Sequence, residues 1–295
     1  MKLIITIWCI LLFAINSYCE ENKEIEAKFG FVGNTGFIAN FKDMEESFSL
    51  WLEEFGSKNS ISLKATFLPT VQLLGEDYIN NKFDMVSLPL SYYFENKDSF
   101  AKTSKNYWGL SFNDKKLMQY YLISSKSTNA KVFKDIKNKT LSITEYDQVA
   151  DDWINKNSLI ENKMNYKKYV KDIIREEKES TVILNVFFKK SEFAVVTKNA
   201  WDTMIALNPS IGKSLEIITK SEEIFLPFIG MFNNKSDEIL IDKFFRLSRD
   251  IKRTNETDEL FTLLRFDTIF EVKKDSLNAL EIYYNEYFEL KKKYE

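Results

Sequence analysis

Two periods of hydrophobicity alternate along residues 27–88 of this chain. Apolar residues recur at every second position over 27–32 and 61–67, and they form a short run over 84–88, which is typical of strands. Between these runs they recur every three or four positions over 41–55 and 71–79, as on one face of a helix. The pattern predicts strand–helix–strand–helix–strand, which needs crossover connections and therefore a mostly parallel sheet. Ligands bind such a sheet at the carboxyl ends of its strands, here residues 33–36 and 87–93.

A second α/β lobe is predicted from residue 140 onward, where the alternation begins afresh. Strands are predicted over 117–124, 140–143, 192–197, 215–219 and 228–232, and helices over 147–157, 182–189, 200–207, 239–251, 256–264 and 277–288. No flexible linker separates the lobes, so we expect the chain to cross between them on the strands 117–124 and 215–221. We assign residues 26–116 and 222–295 to lobe 1 and residues 117–221 to lobe 2.

The first nineteen residues have the layout of a secretory signal peptide. Lys2 precedes an apolar run over residues 3–15, and Cys19 ends the short polar stretch that follows. The run is shorter than the roughly 20 apolar residues of a membrane span. Ser17, two places before Cys19, favours cleavage near Cys19. The alternative is a lipoprotein acylated at Cys19, which the bulky Tyr18 disfavours.

Composition excludes most catalytic chemistry. Histidine is absent, which removes Ser-His-Asp and Cys-His nucleophiles, the HExxH zinc site and histidine acid–base catalysis. Cys9 and Cys19 both belong to the predicted leader, so the exported chain holds no thiol. The formal charge is -3, which gives no excess of basic residues for nucleic acid. We therefore expect no catalytic residue, no cofactor, no metal ion and no nucleic-acid partner.

Two pairs of adjacent carboxylates occur in lobe 2, at residues 151–152 and 176–177. Side chains of sequence neighbours diverge on a helix and do not converge on one substrate atom. We therefore expect both pairs to lie on solvated faces.

Candidate ligand contacts in lobe 1 follow its first and third strands. Asn34 and Thr35 lie between two glycines, where backbone N–H groups and the Thr35 hydroxyl suit an oxyanion, and the alternative is an ordinary strand-to-helix turn. Ser87, Tyr92 and Tyr93 offer a hydroxyl and aromatic walls for an organic ligand. The alternative for the two tyrosines is packing at the rim of the crevice.

Several stretches, in their order and spacing, resemble the phosphonate/phosphite-type substrate-binding proteins of bacterial ABC transporters. They are residues 28–32, 48–52, 83–89, 92–93, 135–143, 186–197, 200–204 and 207–209. The resemblance covers essentially all of the exported chain. It implies the type II periplasmic-binding-protein fold, in which two crossing strands join two α/β lobes around a ligand cleft.

The resemblance also implies a function and a location. We expect a periplasmic protein, monomeric and not an enzyme, that closes on a small polar solute and passes it to an ABC permease and its ATPase. A phosphonate- or phosphate-like oxyanion, or a related organic solute, is the expected ligand. The alternative is a periplasmic sensory protein that signals to a membrane kinase or cyclase.

The family implies ligand contacts in lobe 2 at the turn after strand 140–143. In phosphonate binders this turn is rich in Ser and Thr and holds the oxyanion, but here it contains Thr144, Glu145, Tyr146 and Asp147. Two carboxylates repel an anion and partly neutralise the helix N-terminus. Either the oxyanion is held elsewhere, or the ligand is neutral or carries an ammonium group. The alternative is that these residues only cap the helix that follows.

Two further candidates end lobe-2 elements. Thr197 closes the strand 192–197, and Trp201 lies one helical turn beyond it. We expect one of them to contact the ligand and the other to cover it. Trp108 is either a crevice residue or part of the core.

Overall fold

The computed structural model describes residues 25–32, 49–50, 52–53, 56–57, 60–112, 114–145, 147–250 and 267–295. The predicted leader and the predicted ligand contacts Asn34, Thr35 and Tyr146 lie outside these residues. The predicted helix 256–264 and most of the predicted helix 41–55 lie outside them too. Within the described part of the chain, no helix combines the length and the apolar character that a membrane span requires.

Strands and helices are numbered here along the described residues. The strands are β1 (Ile25–Val32), β2 (Ile61–Leu68), β3 (Met85–Leu88), β4 (Ser104–Ser111), β5 (Tyr120–Ser125), β6 (Thr140–Thr144), β7 (Asp172–Glu176), β8 (Phe193–Thr197), β9 (Leu215–Lys220), β10 (Ile229–Asn233) and β11 (Thr268–Val272). The helices are α1 (Val71–Ile79), α2 (Leu90–Glu95), α3 (Lys97–Thr103), α4 (Gln148–Asn162), α5 (Tyr166–Tyr169), α6 (Glu179–Phe187), α7 (Lys198–Leu207), α8 (Pro209–Ser214), α9 (Glu238–Asp250) and α10 (Asn278–Tyr294).

The first sheet has six described strands in the order β11-β4-β10-β3-β1-β2. β1 pairs in parallel with β2 and β3, as the alternation predicts. The expectation of a mostly parallel sheet is wrong, because β10 pairs antiparallel with β3 and β4, and β11 pairs antiparallel with β4. The physical reason is the route of the chain, since β10 re-enters this sheet at the edge where β3 ends and must run the opposite way.

The second sheet has five described strands in the order β7-β6-β8-β5-β9. β6 pairs in parallel with β7 and β8, whereas β5 pairs antiparallel with β8 and β9. The five strands all lie in residues 120–220, and the strands of the first sheet lie in residues 25–111 and 229–272. The exact lobe boundaries stay a prediction.

The two segments that join the sheets run side by side. Met118 N donates to the Phe225 carbonyl at 2.8 Å, and Phe225 N donates back to the Met118 carbonyl at 3.3 Å. Nearby, the Gln119 amide donates to the Ser221 carbonyl at 2.7 Å. This paired crossing lies just outside β5 and β9: Met118 and Ser221 fall within the predicted crossing segments 117–124 and 215–221, and Phe225 lies four residues beyond the second.

The paired crossing connects one edge of each sheet. In the first sheet it joins the edge where β3 and β4 end and β10 begins; in the second it joins the edge where β6 and β8 end and β5 begins. We call these two rows of strand ends the facing edges. Each is the carboxyl-end edge of parallel strands, which is where α/β sheets place their ligand crevices.

The C-terminal helix α10 contacts helices of both sheets. Its Tyr284 ring stacks on Phe94 of α2, with 5.2 Å between ring centroids. Asn155 of α4 donates to the Tyr287 hydroxyl at 3.0 Å, and Lys156 of α4 donates to the Tyr283 carbonyl at 2.9 Å. This helix is therefore a third link between the two halves of the molecule.

Candidate functional site

The turn from β6 into α4 places Asp147 at the start of that helix. The β6–β7 pairing ends with Glu145 N, which donates to the Glu176 carbonyl at 2.8 Å. Asp147 directly precedes α4, and its Oδ1 accepts from Ala150 N at 3.0 Å. This bond satisfies one of the free N–H groups of the first turn. The capping interpretation of Asp147 is confirmed.

Tyr120, the first residue of β5, hydrogen-bonds to the Asp147 side chain. The buried Tyr120 hydroxyl donates to both Asp147 oxygens, at 3.1 and 3.2 Å. Desolvation raises the pKa of Asp147 to about 6, against the opposing hydrogen bonds from Ala150 and Tyr120. The carboxylate is therefore mainly ionised at neutral pH, although burial disfavours its charged form.

The turn from β8 into α7 lies beside the first one, because β6 and β8 are parallel neighbours. Thr197 Oγ1 accepts from Ala200 N at 3.2 Å and caps α7. The same hydroxyl donates to Glu179 Oε2 at 3.0 Å, and Thr197 N donates to Glu179 Oε1 at 2.7 Å. The two turns thus form one polar edge.

The basic side chains near this edge are already in ion pairs. Arg175 of β7 makes a bidentate pair with Asp151, with both N–O distances at 2.8 Å, and it also donates to the Tyr166 hydroxyl at 2.9 Å. Lys198, the first residue of α7, pairs with Asp202. The expectation that Asp151 lies on a solvated face is wrong, because it turns toward Arg175 on the edge strand.

Asp152 is also not solvated and is only 4% exposed. Its carboxylate accepts from Gln148 at 3.0 Å, from the Tyr284 hydroxyl at 3.2 Å and from the Ser91 hydroxyl. Burial raises the pKa of Asp152 to about 7. Ser91 belongs to α2 and Tyr284 to α10, so this carboxylate connects the helix of the second sheet to those of the first.

The side chains of the second carboxylate pair, Glu176 and Glu177, also lie in different surroundings. Glu176 accepts from the Asn185 amide at 2.8 Å and is partly buried, whereas Glu177 is exposed. The expectation of two solvated side chains is therefore wrong for Glu176 and confirmed for Glu177. In this pair, as in the first, neighbouring carboxylates diverge.

The predicted lobe-1 contacts lie in different surroundings. Ser87 is half-buried in β3 and pairs with Gly230 of β10, next to the facing edge. The Tyr92 hydroxyl lies over α1, where a Cβ added at Gly75 would be 2.5 Å away from it. Tyr93 is 1% exposed and belongs to the hydrophobic core.

Both candidate tryptophans are core residues. Trp201 is 6% exposed and lies in the hydrophobic cluster that α6, α7 and α8 form on the second sheet. Trp108 is 3% exposed and makes edge contacts with the rings of Phe29 and Phe228. Trp108 is therefore part of the core and not a crevice residue.

The structure brings Thr144, Glu145, Asp147 and Thr197 together at the facing edge of the second sheet. Sequence reasoning missed the neighbours that hold this group, of which Tyr120 and Glu179 are the main ones. Only the position of Tyr120 at the start of a strand near the predicted crossing could have pointed to it. Among the described residues, no group of three or more Asp, Glu, Cys or His side chains is placed to hold a metal ion.

A family model described as "ABC transporter, phosphonate, periplasmic substrate-binding protein" matches residues 39–277. The chain belongs to this family. It is therefore a periplasmic solute-binding protein of an ABC transporter and not an enzyme, with a small-molecule ligand and a permease and ATPase as partners. The match supports transport and not the sensory alternative.

Solved structures with low sequence identity share the fold. One is the binding protein component of an ABC phosphonate transporter from Pseudomonas aeruginosa, with 14% identity, a TM-score of 0.56 and coverage of 90% of this chain and 88% of that chain. Another is PhnD1 from Prochlorococcus marinus in complex with methylphosphonate, with 12% identity, a TM-score of 0.57 and coverage of 92% and 100%.

A third is XAC2383 from Xanthomonas citri bound to ATP, with 9% identity, a TM-score of 0.59 and coverage of 92% and 99%. These likenesses confirm the type II periplasmic-binding-protein fold. No curated protein sequence matches this chain.

Proposed function

We propose that this protein captures a small polar organic solute between its two facing edges, and that it opens and closes about the paired crossing at Met118 and Phe225. The observation that carries the proposal is this crossing, because it links the carboxyl-end edge of one sheet to the carboxyl-end edge of the other, where α/β sheets bind their ligands. Short paired segments between two rigid sheets also suit hinge closure.

The proposed contacts come from both edges. The second sheet contributes Thr144, Glu145, Asp147 and Thr197, and the first contributes Ser87. Tyr92 remains a predicted contact, as do Asn34, Thr35 and Tyr146, which lie outside the described residues. The proposal does not use Tyr93 and Trp201, because their side chains are buried in hydrophobic cores.

The solute is a phosphonate- or phosphate-like oxyanion or a related organic solute. The family description supports this class, and so does the methylphosphonate in the structure of PhnD1. The hydroxyls and carboxylates of the second-sheet edge suit a solute that also donates hydrogen bonds.

Two finer features of the export route and assembly are part of the proposal. The leader is cleaved near Cys19 without acylation, and the exported protein is a monomer. N-terminal sequencing is expected to begin at Glu20, and light scattering is expected to give one chain per particle. An acylated Cys19 in the mass spectrum, or a dimer mass, would contradict these features.

A thermal-shift screen tests the function. The screen contains phosphate, phosphite, methylphosphonate, 2-aminoethylphosphonate, amino acids and small amines. A solute at 100 times its Kd stabilises the folded protein by about 2.7 kcal/mol, which raises Tm by several degrees. Thr144→Val is expected to reduce that shift, and Thr128→Val, a threonine in a turn beyond the other end of β5, is the matched control.

Closure is tested on the solute that emerges from the screen. Small-angle scattering is expected to show a smaller radius of gyration in the bound protein than in the free protein. No Tm shift with any solute, or a shift that Thr144→Val and Thr128→Val reduce equally, would count against the proposed site.

A further inference from the structure

A buried carboxylate lies where helices of the two sheets meet. Asp152 of α4 accepts from the Tyr284 hydroxyl of α10 at 3.2 Å, from the Gln148 amide at 3.0 Å and from the Ser91 hydroxyl of α2. The helix α4 follows a strand of the second sheet, whereas α2 and α10 follow strands of the first. We call these four side chains the Asp152 joint.

The Asp152 joint lies beside the paired crossing. Tyr283, the neighbour of Tyr284 on α10, makes an edge contact with the ring of Phe225, with 4.8 Å between ring centroids. Phe225 is the residue that pairs with Met118 in the crossing. Apolar side chains of α2, α4 and α10 also belong to one hydrophobic cluster. A change in the angle between the two halves therefore moves these helices against one another at the joint.

No opposite charge compensates Asp152 when it is ionised. The nearest buried cation on α4, Lys156, donates to the Tyr283 carbonyl at 2.9 Å and to Glu286 at 3.0 Å. Among the described residues, no basic side chain forms an ion pair with Asp152. The ionised carboxylate is therefore stabilised by hydroxyl and amide donors alone, in a position that is 4% exposed.

We propose that the Asp152 joint is a proton-controlled clasp between the two halves of the molecule. The neutral carboxyl group suits the buried joint, because a buried charge without an ionic partner is costly. Ionisation penalises the joined arrangement, and any movement that parts α2 or α10 from α4 relieves this penalty by admitting water to Asp152. The clasp is therefore firm at acidic pH and loosens as pH rises.

The size of the effect follows from the pKa of Asp152, which burial raises from 3.8 to about 7. The joined arrangement binds this proton more tightly than an arrangement in which Asp152 is solvated. The stability that the proton contributes is fully present below the ordinary pKa and is lost as pH rises to about 7. Between about pH 5.5 and about pH 8.5, the ratio of parted to joined molecules should rise by up to about thirtyfold.

The groups that face Asp152 from the other elements do not titrate in this range. From α2 the facing side chain is Ser91, which has no charge to lose. The facing side chains of β5 and α10 are Tyr120, Tyr283, Tyr284 and Tyr287. Burial raises the pKa of each tyrosine above its ordinary value, so all four stay neutral up to about pH 8.5.

On α4 itself, Asp151 is paired with Arg175. Asp147, which caps the helix, has a pKa of about 6 and is the other group that titrates near the joint. The source of a pH response is therefore decided by removal of the Asp152 charge while Asp147 is kept.

Fluorescence energy transfer between two dyes tests the clasp in the free protein. Both native cysteines lie in the predicted leader, so dyes on the exported chain attach to introduced sites. Gln72→Cys on α1 and Leu207→Cys on α7 are exposed positions on helices of different sheets. We expect a population with a longer distance between the dyes, which grows from about pH 5.5 and levels off above about pH 7.

Three substitutions in the labelled protein assign the response. Asp152→Asn is isosteric and uncharged, so the distances should keep their acidic-pH distribution up to about pH 8.5. Tyr284→Phe removes a hydrogen bond that lowers the pKa of Asp152, so the response should level off at higher pH. The matched control is Asp135→Asn, which removes an aspartate that accepts from the amides of Lys131 and Val132 in the same half. It should leave the response unchanged.

Equal distance distributions of the labelled native protein at about pH 5.5 and about pH 8.5 would overturn the proposal. This measurement stands whether or not the variants fold. A pH response that Asp152→Asn leaves intact would also overturn it, because another group would then be the source. The clasp goes beyond the proposed function and needs no solute. That function fails in a different way, when no solute of the screen raises the Tm of the native protein.

Discussion

The turns into α4 and α7 both cap a helix N-terminus with one carboxylate and one hydroxyl, but the two groups have exchanged roles. Both leave neighbouring parallel strands at the same edge, and in both a side chain accepts from the third helical amide. At α4 the carboxylate of Asp147 is the cap, and the Tyr120 hydroxyl supports it. At α7 the Thr197 hydroxyl is the cap, and the carboxylate of Glu179 supports it.

Each turn therefore contains one carboxylate that partly neutralises the positive end of its helix. Only at α4 does that carboxylate occupy the terminus itself. The charged cap and the neutral cap should therefore differ in how they respond to added charge, to pH and to loss of the supporting group.

The largest effect is expected when both parts of the α7 turn become acidic. Thr197→Asp puts a second carboxylate next to Glu179, which now lies 3.0 Å from the Thr197 hydroxyl. Two like charges about 4 Å apart near a protein surface repel by about 4 kcal/mol, so urea unfolding should show a loss of stability of that order. Thr197→Ser, which keeps the hydroxyl and loses one buried methyl group, should lower stability by only about 1 kcal/mol. Equal stability of the two variants would break the comparison.

A second prediction concerns pH. The pKa of Asp147 is about 6 in the folded protein, and the ordinary value of 3.8 applies in the unfolded chain. The folded state therefore binds this proton more tightly than the unfolded state does. The stability that this proton contributes is present below the unfolded pKa and is lost as pH rises through about 6, to a total of about 3 kcal/mol. Asp147→Asn should remove that share of the pH dependence in urea titrations between about pH 4 and about pH 7.

The control for the pH experiment has the opposite sign. Backbone hydrogen bonds from Lys131 and Val132 lower the pKa of the partly exposed Asp135. Its contribution to stability is therefore present above the unfolded pKa and is lost as pH falls. Asp135→Asn should flatten the acid side of the profile only. A profile that Asp147→Asn leaves unchanged would show that the charged cap is not desolvated.

The smallest effect is expected from the supporting tyrosine. Tyr120→Phe removes the hydroxyl that both Asp147 oxygens accept from, and a hydrogen bond to a charged group contributes about 2 kcal/mol. Because this bond lowers the pKa of Asp147, its loss should also raise that pKa. Carboxyl-carbon NMR titration measures the pKa and urea unfolding measures the stability.

The neighbouring Tyr121→Phe is the matched control. Tyr121 lies on the other face of β5, in the cluster beneath α6 and α7, and its hydroxyl is not bonded to Asp147. It should leave the pKa of Asp147 unchanged. If both substitutions changed the pKa of Asp147 equally, the Tyr120 hydroxyl would not be what supports Asp147 at the α4 turn.

The alternating fold and the caps could be predicted from the sequence because both depend on local patterns. β1, β2 and α1 follow periods of two and 3.6 residues, and Asp147 directly precedes an apolar-periodic stretch. β4 escaped prediction because its sequence SKNYWGLS has no β-branched residue, and it is buried on both faces, with Tyr107 and Trp108 in different clusters.

The surroundings of the site depend on tertiary contacts that no local pattern contains. Asp152 is buried against α2 and α10, where the hydroxyls of Ser91 and of Tyr284, which is 132 residues away, donate to it. Likewise, Arg175 turns an apparently solvated Asp151 into an ion pair. The chain's route through β10 made the first sheet mixed, which the local strand–helix alternation could not predict.

A crystal structure with a solute from the thermal-shift screen tests the account most directly. We predict density for the solute between the two facing edges. Asp147 should keep its bond to the Ala150 amide in that complex. A solute outside the facing edges, or an Asp147 that has left the Ala150 amide, would contradict the account.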